Sequence, residues 1–195
     1  MTRAGDGVDL FWIPLGAGAH VVKATGRAYE ALAALKERRP RCDLYHSALE
    51  VTVPDGRFII EQAPVPDHDG EQRGVVAEGP VGAKWAGRLR IFRYEIRCWR
   101  AGVIPDARDA ASVEIVTTDA LQAQRVLELV RSVPAPVWGR DELHAGEMWN
   151  SNSVTSWLLA NAGIDAAELR PPANGRAPGW SAGVAVAARS SVCSG

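Results

Sequence analysis

Two residues of this chain have the type and the setting for acyl-transfer chemistry. They are His46, in the run DLYHSALEVTV, and Ser151, in the run WNSNSVTSWLLANAG. A serine becomes nucleophilic when a base accepts its proton, and a neutral imidazole is the usual base. The start of a helix adds unpaired amides and a partial positive charge, both of which favour a developing oxyanion. Asn150, Ser151, Asn152 and Ser153 are also of the types preferred at a helix N-cap, so capping alone accounts for their presence.

The neighbours of His46 depend on the hairpin that carries it. DLYHSALEVTV and RFIIEQAPV are joined by Pro54-Asp55-Gly56, and Asp-Gly between two β-rich runs is a strong hairpin signal. With Asp55 and Gly56 as the turn residues, Val53 pairs with Phe58, Val51 with Ile60 and Glu50 with Glu61. His46, Ala48, Glu50 and Thr52 then share a face with Ile59, Glu61 and Ala63. Leu49, Val51, Val53, Phe58 and Ile60 share the other. On this register Glu61 holds the imidazole; a slipped register substitutes Gln62. A satisfied strand histidine above a solvated carboxylate face is the plainer alternative.

Around these residues the pattern alternates strands and helices. Residues 8 to 15 read as a strand, and residues 20 to 38 as a helix stopped by Pro40. A polar loop follows the hairpin over 63 to 74. A strand pair is expected around 74 to 79 and 88 to 99, then a short strand at 113 to 116 and an amphipathic helix at 119 to 132. A second helix starts near Asn150 and is closed by Gly163. The last thirty residues read as an ordered loop leading to a short strand, GVAVAA, with a frayed tail after about 189. The expectation is one α+β domain, 1 to 195, with an antiparallel sheet packed by helices.

Composition narrows the function classes. Lys plus Arg total 22 and Asp plus Glu 23, a net charge of −1. No general attraction to nucleic acid or anionic lipid follows, beyond what a local patch supplies. No run approaches the ~18 apolar residues of a membrane span. The N-terminal stretch, with Asp6, Asp9, Pro14 and several glycines, is a poor secretion signal. Cys42, Cys98 and Cys193 lack metal or disulfide spacing and read as thiols of a reducing cytoplasm. Neither a metal nor a cofactor is called for; the expected partner is a small-molecule or peptide substrate.

A histidine on an early strand, further strands, then a nucleophile opening a late helix resembles the circularly permuted papain-like fold. That group includes NlpC-type peptidases, PPPDE-type deubiquitinating peptidases and the lecithin:retinol acyltransferase relatives. The resemblance rests on Tyr45-His46-Ser47 and Asn150-Ser151-Asn152-Ser153, and covers roughly residues 42 to 162. It implies Ser151 as nucleophile, where those families typically have cysteine, His46 as base, and Glu61 or Gln62 as the residue orienting it. It also implies an oxyanion donor at the amide of Ser151 or Asn152, with Ser153 as the substitute nucleophile. Serine in place of cysteine leaves two outcomes open: a hydrolase or acyltransferase acting on an amide or ester, or an inactive binding module. The segments GRDELHAGEMWNSNS and PPANGRAPGWSAG also resemble an uncharacterised bacterial family common in actinobacteria, which implies no activity.

Other features carry less. Gly16-Ala17-Gly18 after a strand lacks the third glycine of a dinucleotide turn, and no phosphate-binding lysine follows. Asp67, His68 and Asp69 lack metal-ligand spacing. Asp141, Glu142, His144 and Glu147 are placed to line the mouth of a site at Ser151, or to be solvated loop charges. Trp138, Trp149 and Trp180, with Arg140 and Arg176, either wall a substrate site or fill the core under long loops.

Overall fold

The computed structural model describes residues 5–15, 35, 38, 40–65, 74–104 and 106–192. Seven strands are formed among them: β1 (Gly7–Pro14), β2 (Asp43–Val53), β3 (Gly56–Pro64), β4 (Val75–Pro80), β5 (Arg93–Arg100), β6 (Ser112–Thr117) and β7 (Gly175–Arg176). The helices are α1 (Ala120–Leu129), α2 (Ser151–Asn161) and α3 (Trp180–Val192). The sheet runs β4-β5-β3-β2-β1-β6, with every pair along this path antiparallel. Two-residue β7 adds to β2 in parallel, Asp43 beside Gly175 and Leu44 beside Arg176. The chain is therefore α+β with a mostly antiparallel sheet. The helix expected over 20–38 falls almost wholly outside the described residues. So do His20, Asp67, His68, Asp69, Gly16, Gly18 and Cys193.

The two faces of the sheet bury different amounts. Leu10 and Trp12 of β1, Leu49 and Val51 of β2, Ile60 of β3 and Tyr94 and Ile96 of β5 join the helices in the main core. Ile13, Ala48 and Ile59 point the other way and form a small second cluster with Ile104. Alternate residues of a strand face opposite sides, so this division follows from the pleat. β1 reads as a nearly continuous apolar run because both of its faces are covered.

The hairpin closes one residue earlier than the Asp-Gly signal implies. Val53 pairs with Gly56, Val51 with Phe58 and Leu49 with Ile60, leaving Pro54 and Asp55 as the turn residues. Either primed turn at Asp55-Gly56 needs positive φ at Asp55, and of the two only Gly56 has it, at +127°. Proline's fixed φ suits the first turn position instead. The register thus moves by two: Glu50 faces Ile59, not Glu61. A shift of two preserves parity, so the assignment of residues to faces stands.

Two further expectations are corrected. Residues 88–92 are not strand: two short 3-10 turns, Lys84–Arg88 and Arg90–Phe92, precede β5, which begins at Arg93. Leu89 and Ile91 alternate as a strand would, but both are exposed and find no core. GVAVAA lies in α3 rather than in a strand, and the helix runs on past 189 to Val192. Its small residues let α3 lie against α2: a Cβ on Gly183 would fall 2.1 Å from the Ser153 carbonyl oxygen and from Ser156 Oγ.

Candidate functional site

The site lies where β2 loses its second neighbour. Beyond Leu49 and Ile60 the β2–β3 ladder stops, and β7 takes up the same edge only at Asp43 and Leu44. On its other side β2 stays paired with β1 through Tyr45. The Leu44 carbonyl accepts from Leu15 on the β1 side. Successive strand carbonyls alternate sides, so the Tyr45 carbonyl opens toward the gap. The Asn152 side chain fills it: Nδ2 donates to the Tyr45 carbonyl at 3.0 Å, and Oδ1 accepts from Ser47 Oγ at 2.9 Å. Nδ2 also donates to the Pro178 carbonyl at 2.9 Å. Asn152 thus replaces a missing strand and fixes the start of α2 against β2.

Its neighbours close the helix end. Asn150 is the N-cap; its Oδ1 accepts from the amides of Asn152 (2.9 Å) and Ser153 (3.4 Å). Ser153 completes a capping box: its Oγ accepts from the Asn150 amide and donates to the Gly179 carbonyl at 2.7 Å. Asn150 Nδ2 donates to the Pro178 carbonyl. Ser153, fully buried and bonded on several sides, is helix cap and anchor and is not placed as a substitute nucleophile. The Asn152 amide is likewise engaged, which removes it as an oxyanion donor.

Ser151 takes no part in this network. None of the side-chain hydrogen bonds among the described residues uses its hydroxyl, and its amide is the first of the helix, where no intrahelical acceptor exists. It borders a cavity of about 500 Å³ that His46 also lines, together with Tyr45, Trp138, Ile91 and Met148. The walls are largely apolar, with Arg93 as the cationic member of the lining. Desolvation pushes the His46 pKa down to about 4, so the imidazole is neutral at ordinary pH.

His46 stands on the opposite face of β2 from Ser47, and it lines the cavity. No hydrogen bond joins it to Ser151 among the described residues. Neither expected orienting residue holds it. Glu61 is bound by Arg97, with Nη1 at 3.0 Å, while Arg97 Nε donates to Glu95 at 2.9 Å and Nη2 to the Pro64 carbonyl. Burial raises the Glu61 pKa, and the guanidinium opposes that shift. Gln62 faces the helix side, buried, with both amide atoms unpartnered among the described residues.

The tryptophans divide between the two readings. Trp149 and Trp180 are core: Trp149 is 1% exposed, and Trp180 packs on Trp12 with ring centroids 4.8 Å apart and donates Nε1–H to the Ala166 carbonyl. Only Trp138 walls the cavity, held edge-on to Tyr94. Arg140 donates to the Gly82 carbonyl, and Arg176 sits in β7. The acidic loop does not line the mouth. Asp141 caps the Ala145 and Gly146 amides, Glu142 accepts from the Val137 amide and pairs with Lys84, and Glu147 accepts from the Gly179 amide. His144, the remaining member, holds positive φ, and its carbonyl accepts from Arg189.

Sequence reasoning missed Ser47. It is a serine among Tyr45, Leu49 and Val51 on the core face, and a buried hydroxyl there needs a partner. Met148 and Arg93 carried no comparable signal. No known protein family, no curated protein and no solved structure matches the chain.

Proposed function

We propose that the chain is a hydrolase or acyltransferase acting on an amide or ester, with Ser151 as nucleophile and His46 as base. The observation that carries this is a division of labour over four consecutive residues. Asn150 and Ser153 do the capping and Asn152 does the anchoring, so Ser151 keeps a free hydroxyl and amide at a cavity that a neutral imidazole shares. The attacking Oγ would pass its proton to His46, and the Ser151 amide at the helix N-terminus would stabilise the oxyanion. The reaction would require a Ser151–His46 hydrogen bond that forms when substrate binds. The chain order of His46 strand, further strands and Ser151 helix supports a permuted papain-like relationship.

A second reading is a silent binding module. It is favoured by the missing Ser151–His46 hydrogen bond and by Arg97 holding the carboxylate that would orient the imidazole. The test is turnover on a panel of aryl and alkyl esters and aminoacyl amides. The enzyme reading expects hydrolysis that falls by at least ~10²-fold in Ser151→Ala and in His46→Gln. The binding reading expects no turnover by the folded wild type. Turnover that survives Ser151→Ala would overturn the assignment of the nucleophile.

A further inference from the structure

We infer that the cavity at Ser151 is a pocket for an uncharged, apolar acyl group, so that the substrate is an ester or amide of a medium-chain carboxylic acid. The position of the acyl carbonyl rests on the reading of Ser151 as nucleophile; the apolar pocket rests on its lining alone. Leu44 of β2, Val81, Ile91, Trp138 and Met148 converge on the cavity from separate parts of the chain. The wall is held in place by backbone. The Trp138 amide donates to the Pro80 carbonyl and the Trp138 carbonyl accepts from the Gly82 amide, both at 2.9 Å. The Trp138 ring stands edge-on to Tyr94. A built, mostly apolar cavity with a few polar groups at one place is the usual form of a small-molecule site. At ~30 Å³ for a water-sized group, about 500 Å³ holds roughly fifteen non-hydrogen atoms, enough for an octanoyl group.

The occupant follows from which polar groups are already spent. The side chains of Asn150 and Asn152 bond to the Pro178 and Tyr45 carbonyls, to Ser47 and to the amides of the helix start. The Met148 carbonyl accepts from Ser153 Oγ, and the Gly82 carbonyl from Arg140. A sugar or a peptide backbone entering here would leave hydroxyls and amides unpaired, at a cost for each. An apolar chain has no such groups to lose. Charge gives the same answer. Among the described residues the lining holds no carboxylate, and its one guanidinium, Arg93, pairs with Glu78. A charged acyl chain would therefore be desolvated without an unengaged partner of opposite sign in the lining. Ser151 supplies a hydroxyl and a helix-start amide, which suit a single carbonyl at the end of the chain.

The test has a binding arm and a turnover arm. In the first, octanamide is titrated by calorimetry into wild type and into Ser151→Ala. Beside it run 7-aminoheptanamide and the monoamide of heptanedioic acid, of matching length but charged at the far end. Octanamide should bind both proteins, and each charged analogue should bind at least ~10-fold more weakly. Met148→Lys and Ile91→Lys should each weaken octanamide by about tenfold while keeping the wild-type circular dichroism; Ile91 is 72% exposed, so the fold does not depend on it. In the second arm, kcat/KM for 4-nitrophenyl esters should rise from acetyl to octanoyl by about fourfold per methylene. Octanamide binding with no ester turnover would support the pocket and overturn the nucleophile. Turnover that needs Ser151 but does not rise with chain length would overturn the pocket and keep the nucleophile. No binding of octanamide to either protein, or a charged analogue binding as tightly, would also overturn the pocket.

Discussion

The two ends of β2 solve the same problem differently. At its turn end, Leu49 to Thr52 are paired with β1 on one side and β3 on the other, and Leu49, Val51 and Val53 are buried in the main core. At its open end, Tyr45 to Ser47 keep β1 but have no strand on the other side among the described residues, and the side chain of Asn152 takes its place. The first solution is generic: any apolar pair of fitting volume serves. The second depends on one amide that accepts from Ser47 and donates to the Tyr45 carbonyl. It leaves a gap in the sheet, and that gap is where the cavity, His46 and Ser151 meet.

Substitutions sharpen this contrast. The largest loss belongs to the turn end: Leu49→Ala, at a fully buried position, should cost about 2–5 kcal/mol in urea unfolding. Asn152→Ala should approach that figure without a large cavity. It leaves Ser47 Oγ and the Tyr45 carbonyl without their partner, each buried polar group costing about 1–3 kcal/mol, while the Pro178 carbonyl keeps Asn150 Nδ2. Ser47→Ala should cost about 1–3 kcal/mol, because it orphans only Asn152 Oδ1. If Asn152→Ala proves as mild as a surface change, the open end is not held as described.

Acid provides a smaller probe of the same end. The His46 pKa is depressed in the folded chain, to about 4 against an ordinary 6.5. Between those values the unfolded chain binds more protons, so stability rises with pH there. The contribution of His46 is fully present above about pH 6.5 and is lost as pH falls toward 4. Denaturant midpoints for wild type and His46→Gln should converge in slope above pH 6.5 and diverge below it. Parallel curves throughout would mean that the imidazole is not desolvated.

Much of this was legible in the sequence, for identifiable reasons. The strands carrying the core show period-two burial, and the start of α2 was marked by its Asn and Ser residues. The division of faces in the hairpin was readable because parity survives a shift of two. The exact register was not, since Pro54 competes with Asp55-Gly56 for the turn. The C-terminal helix is not legible in the sequence, because Gly183 and the surrounding alanines and valines favour no period until they meet α2. The roles of Asn150, Asn152 and Ser153 were indistinguishable in sequence, because all are cap types. Only their contacts with Tyr45, Ser47, Pro178 and Gly179 assign them, and these lie more than twenty residues away.

The most direct test of the account is which of the two helix-start serines reacts. Wild type, Ser151→Ala and Ser153→Ala are treated with a fluorophosphonate, and the intact mass and the modified peptide are measured beside unfolding curves. The account predicts one adduct, on Ser151, absent in Ser151→Ala, whose stability should stay within about 0.5 kcal/mol of wild type. Ser153→Ala should be destabilised by about 1–2 kcal/mol through loss of its cap. No adduct on the folded wild type, or a Ser151→Ala loss of stability as large as that of Ser153→Ala, would contradict it.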